Sequence, residues 1–246
     1  MDFGKDFKKY ALSEGLTSMN LHYFEKNLVE NSMTPYILEE REMRVTQMDI
    51  FSRLMRDRIL WVGGVVNDNM STIVQAQLMY LDSVEKKDIT MHVDSPGGSV
   101  KSGLSMVDVM RYINSDVATI NTGMAASMGS ILLSSGTKGK RSSLNFSKVM
   151  IHQVSSGAQG HVADNRISQM ESEKYNYILF KMLAENSGRD FQYVLDAARR
   201  DKWLNSQEAL DFGFIDEVIL TDKTSSITSL LEGFDEYYNK EVFGRK

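Results

Sequence analysis

The run Gly123-Met124-Ala125-Ala126-Ser127-Met128-Gly129 is where side-chain type and spacing first suggest covalent chemistry. A serine on a tight strand-to-helix turn, flanked by small residues, presents its hydroxyl unobstructed, as a nucleophile elbow does. Ala125 stands where the first glycine of G-x-S-x-G would be, and a helix start chosen for close packing uses the same small residues. A serine hydroxyl also needs a base to take its proton and donors to receive an oxyanion. Upstream, Asp94-Ser95-Pro96-Gly97-Gly98-Ser99 offers donors: with no Cβ, the N–H groups of Gly97 and Gly98 are open to approach. A plain tight turn has the same composition.

The base must come from four histidines. His22 sits in a polar N-terminal region and His161 in a glycine-flanked loop, both places for solvated side chains. His92 alternates with the apolar residues of Ile89-Thr90-Met91-His92-Val93, the pattern of a hydrogen-bonded core histidine. His152 ends the apolar run from Lys148, in the same layer as the Ser127 turn, and sites in open α/β folds gather at strand ends. It is the candidate base. A carboxylate must then hold the imidazole in its working tautomer. Asp164, Asp190, Asp196, Asp201, Asp211 and Asp216 all follow His152, and spacing does not choose among them. Asp201 has one advantage, a place between two expected helices where an inward carboxylate is easily accommodated.

These residues need a scaffold, and hydrophobic periodicity supplies one. Helical patterns are expected around Asp49–Asp57, over Ile73, Val74, Leu78 and Leu81, and over Leu104, Val107 and Met110 behind a Ser99 cap. A small-residue helix spans Ala126–Ser134, and a long one carries Ile167, Met170, Tyr177 and Met182 on one face. Two shorter helices follow, the last capped by Ser206 and stopped by Gly213. Strands are expected at Arg58–Val66, Ile89–Val93, Val117–Thr122, Lys148–Val154 and Phe214–Leu220. Strands alternating with helices predict an α/β fold with mostly parallel pairing.

Met1–Ser32 reads as a mobile extension or a partner-dependent helix, with a weak apolar period at Phe3, Phe7 and Tyr10, closed by Met33-Thr34-Pro35. Three parts are expected: residues 1–33 as an extension, mobile or processed; residues 34–220 as the body; and residues 221–246 as a polar tail with one apolar patch at Leu230-Leu231. Composition is that of a globular protein, 42% hydrophobic and 25% charged, and the net charge of -5 gives no electrostatic case for nucleic acid or membrane surface. The absence of cysteine removes disulfides, a thiolate nucleophile and cysteine-ligated metal. No apolar run approaches the length of a membrane span, and Asp2, Lys5, Asp6, Lys8 and Lys9 interrupt any signal-like segment. A cytoplasmic location is the expectation, and no metal or cofactor is called for.

Gly123–Gly129, Met150-Ile151-His152-Gln153, and Arg200-Asp201-Lys202-Trp203-Leu204 through Ile215-Asp216 occur in an order and at separations that resemble the ClpP family. That family is the proteolytic subunit of the ATP-dependent Clp protease, and the resemblance runs from about Thr34 to Leu220. It implies a crotonase-like α/β fold and a serine endopeptidase with Ser127 as nucleophile, His152 as base and Asp201 as orienting acid. The oxyanion donors would be the N–H groups of Gly98 and Met128. It further implies two stacked seven-membered rings, with Asn165–Glu185 as a protruding handle helix between rings and the region after Thr34 lining an axial pore. An AAA+ unfoldase of the ClpX or ClpA type would use the ATP and deliver unfolded proteins. The chain itself has no G-x-x-x-x-G-K-[ST] phosphate loop. Val154 departs from the proline usual after His-Gln, which predicts a looser turn there. A crotonase-type acyl-CoA enzyme, which needs no serine nucleophile, and a non-catalytic ring subunit are the alternative readings.

Overall fold

The structure, a computed structural model, describes residues 36–41, 44–157, 160–220 and 225–241. The expected extension of residues 1–33 lies outside them. The chain divides into two compact units, Met1–Asp57 and Arg58–Lys246. In the first, β1 (Tyr36–Arg41) and β2 (Arg44–Asp49) pair antiparallel and lead into α1 (Ile50–Arg56). Asp49 caps α1 by accepting from the N–H groups of Phe51 and Ser52.

The second unit is a seven-stranded sheet with helices, the α/β class expected. Its strands are β3 (Ile59–Gly63), β4 (Ile89–Ser95), β5 (Val117–Ala126), β6 (Arg141–Leu144), β7 (Lys148–Ile151), β8 (Lys202–Asn205) and β9 (Glu217–Ile219). The order β3-β4-β5-β6-β9 is parallel throughout. Between the strands run α2 (Asp68–Val84), α3 (Val100–Tyr112), α4 (Met128–Ser134), α5 (Val162–Ser187), α6 (Phe191–Ala197) and α7 (Ser206–Phe212). The core is the apolar face of the strands against helix stripes: Val62, Met91 and Val93 with Leu78, Met106 and Leu132, all fully buried.

β5 is ten residues long and serves two partners in succession. Thr119–Asn121 pair with β6, and Met124–Ala126 pair with β7. β7 then pairs antiparallel with β8, with Ile151 opposite Lys202. The short strands β6 and β8 are not among the expected ones; each has only four residues, too few to display an alternation. The strand at Arg58 also ends earlier than expected, at Gly63, because Gly64 turns the chain with φ +83°.

Arg141, 1% exposed, ties several elements together. Its guanidinium grips both carboxylate oxygens of Asp216 at 2.8 and 2.6 Å. It also donates to the carbonyls of Ser134 at the end of α4 and Asn186 near the end of α5. Burial would raise the Asp216 carboxyl, but the Arg141 bonds outweigh it and hold the group below the ordinary carboxylate value.

Other expectations change in detail. Within α2, Ile73 faces solvent while Val74, Leu78 and Leu81 are buried. In α3, Met106 replaces Leu104 among the buried residues. The cap of α7 is Asn205, whose side chain forms a capping box with Glu208; Ser206 opens the helix and donates to the Asn145 carbonyl. In α5, Ile167, Met170 and Tyr177 are exposed, and burial is confined to the last two turns from Phe180. Residues 225–241 hold two short helices, α8 (Ile227–Leu230) and α9 (Phe234–Glu241). Their exposed Leu230, Leu231, Phe234, Tyr237 and Tyr238 make this segment more apolar than expected.

Candidate active site

Strand register brings the expected residues together. The ladder between β5 and β7 pairs Ala126 with Met150, and one step further the Ser127 N–H donates to the Met150 carbonyl at 2.9 Å. Ser127 therefore leaves β5 beside the end of β7, where His152 follows Ile151. The chain must turn at once into α4, and Ser127 does so with φ 55° and ψ -119°. A positive φ is rare for a residue bearing a Cβ and marks the strained turn of a nucleophile elbow. Its hydroxyl lies 2.8 Å from His152 Nε2.

The antiparallel ladder places the third residue. Ile151 faces Lys202, so the next residue on each strand, His152 and Asp201, fall opposite each other. Asp201 Oδ1 is 3.5 Å from His152 Nδ1, an ion-pair separation rather than a close hydrogen bond, and the carboxylate is 64% exposed. Asp201 lies between two helices, α6 and α7, as expected, and the short strand β8 that intervenes is what aims it. Asp216 is committed to Arg141, and Asp190 and Asp196 cap or pair within their own region.

Above Ser127, the turn after β4 is clamped by residues that sequence reasoning passed over. The Val66 N–H donates to the Gly97 carbonyl and the Ser99 N–H to the Val66 carbonyl, at 2.8 and 2.9 Å. The buried Ser95 hydroxyl accepts from Gly97 N–H and donates to the Gly64 carbonyl. These bonds flank Gly98, whose own N–H has no acceptor among the described residues; the Met128 N–H, first in α4, has none either. Gly97 has φ +92°, and a Cβ there would lie 2.6 Å from Ser127 Cβ and 2.8 Å from Met128 N. The two turns thus interlock, and only glycine fits the contact. No local sequence signal pointed to Val66.

Beside this cluster lies a cavity of about 170 Å³ whose walls include Val100, Met128, Ile131, Leu179, Phe180 and Leu183, with Ser127 and His152 also lining it. Of the other histidines, His22 lies outside the described residues. His161 is the residue preceding α5, and His92 stacks on Trp61 with ring centroids 4.7 Å apart. Among the described residues His92 Nδ1 is buried without a hydrogen-bond partner, unlike the bonded core histidine expected, and burial lowers its pKa. Among the described residues no group of three or more His, Asp or Glu is placed to hold a metal ion.

The sequence matches the Clp protease family over residues 40–222, most of its length. This chain belongs to the Clp protease family. The proteolytic subunit of ATP-dependent Clp protease from Bacteroides fragilis strain YCH46 is 49% identical to it over 217 residues, 87% of this chain and 98% of the relative. The subunits of that name from Porphyromonas gingivalis and Streptococcus agalactiae are 44% and 46% identical, covering 87% and 76% of this chain and 97% of each relative. Clp protease membership carries the expected enzyme class, serine peptidase, and the expected fold. Among the described residues no helix is long and apolar enough to cross a membrane.

Proposed function

We propose that this chain is the peptide-cleaving subunit of an ATP-dependent Clp protease, with Ser127 as nucleophile, His152 as general base and Asp201 as orienting acid. The observation that carries the assignment is the 2.8 Å contact from His152 Nε2 to a serine hydroxyl held on a strained elbow. Ser127 Oγ attacks the scissile carbonyl carbon while its proton passes to Nε2. The carbonyl oxygen becomes an oxyanion facing the N–H groups of Gly98 and Met128, which have no other acceptor among the described residues. Collapse breaks the C–N bond, and the imidazolium returns the proton to the leaving amine. Water then repeats the sequence on the acyl-enzyme, releasing the acid and restoring Ser127.

The cavity accounts for a bound side chain of the peptide, and it is lined mainly by apolar residues. The exposed Ile167, Met170 and Tyr177 of α5 support its reading as a handle that meets other subunits in a double ring of sevens. With no phosphate-loop motif of its own, the chain relies on an AAA+ unfoldase for energy and substrate delivery, and needs no cofactor. Its setting is then the cytoplasm. Ser127→Ala removes the nucleophile at little cost in volume. Purified protein carrying it is expected to lose peptide hydrolysis and fluorophosphonate labelling while keeping its assembled mass. Labelling of the variant, or retained turnover, would contradict the assignment.

A further inference from the structure

We infer that Asn176 of α5 is a positioning residue for the active site, acting through the backbone of Val154. The stretch after β7 carries His152 and then forms part of the cavity wall with Val154 before α5 begins at Val162. Residues 152–157 have no regular structure, and among the described residues their backbone makes one hydrogen bond. That bond runs from the Val154 N–H to the Asn176 side-chain carbonyl oxygen, at 3.0 Å. A proline at 154 has no N–H to give, so the valine is what makes this tether possible. The turn expected to loosen through Val154 is instead pinned.

The far end of the tether gives it its consequence. Leu179, Phe180 and Leu183 follow Asn176 at helical spacing and line the same cavity. One face of α5 therefore supplies both the cavity lining and the anchor of the strap that carries His152. An imidazole displaced by a fraction of an ångström loses its alignment with Ser127 Oγ, so the tether acts on proton transfer more than on substrate binding.

This inference rests on the peptidase reading above. Its test is steady-state peptide hydrolysis with Asn176→Leu, Asn176→Asp and Val154→Pro, alone and combined, on samples of equal assembled mass. Asn176→Leu keeps the size and removes the acceptor; it should lower kcat about five- to tenfold, the scale of one hydrogen bond, with KM within about twofold. Asn176→Asp keeps an acceptor and should stay near wild type. In the Val154→Pro background, where no donor exists, adding Asn176→Leu should change nothing further. Wild-type kcat in Asn176→Leu, or the same loss in both backgrounds, would overturn the tether. If Val154→Pro does not assemble, equal losses in Asn176→Leu and Asn176→Asp overturn it. Wild-type protein that neither cleaves peptide nor takes fluorophosphonate at Ser127 defeats the peptidase reading itself, and the tether with it.

Discussion

Ser127 holds a backbone conformation that costs a residue with a Cβ about 1–3 kcal/mol, and the interlocked Gly97 turn and the Met150 carbonyl keep it there. The expense goes into aim: the hydroxyl stands clear of the backbone, within reach of His152. Asp201 is the less constrained partner, exposed and 3.5 Å away. Its proposed role as orienting acid predicts that Asp201→Asn lowers kcat by about 10² to 10⁴ with KM little changed, since an amide can favour the wrong imidazole tautomer. Steady-state kinetics on correctly assembled protein checks this, and a loss below about threefold would assign the orienting role elsewhere.

Arg141 acts at the level of elements. One buried guanidinium closes the ends of α4 and α5 and the turn before β9 onto β6. Removing its counter-charge leaves that guanidinium buried without compensation, so Asp216→Asn is expected to cost about 3 kcal/mol, measured by denaturant unfolding. The same pair sets an acid limit. Because the folded-state pKa of Asp216 lies below its unfolded value, the pair's contribution is fully present above about pH 4 and fades as pH falls through the folded value. Stability measured from pH 6 to pH 3 should therefore decline less steeply in Asp216→Asn than in wild type. Parallel slopes would mean that Arg141 does not stabilise the ionised form.

At the scale of the whole molecule, the proposed chamber separates two abilities that an open protease combines. The proposed axial pores would admit short peptides by diffusion but exclude folded chains, and the sequence has no phosphate loop with which to unfold them. Purified protein is expected to cleave a short fluorogenic peptide without ATP and to leave a stably folded fluorescent protein intact. Loss of that fluorescence should require a matched AAA+ unfoldase together with ATP. Rapid loss without either would indicate an exposed site and end the chamber reading.

The strongest sequence signals were local ones. Glycine pairs, a serine among small residues and alternating apolar runs are written in neighbouring residues, so the α/β class and the turns bearing Ser127 and Gly98 were legible from the chain. Family resemblance supplied Asp201, which spacing left among six aspartates. What selects Asp201 physically is the pairing of Ile151 with Lys202; β7 was expected, but its partner β8 has four residues, too few to announce itself. The Val66 clamp, the Arg141 hub and the bond from Val154 to Asn176 likewise join positions far apart in the chain. Residue identity fixed which groups could donate and accept; tertiary folding alone decided which of them meet, because hydrogen bonds depend on distance in space and not on separation along the sequence.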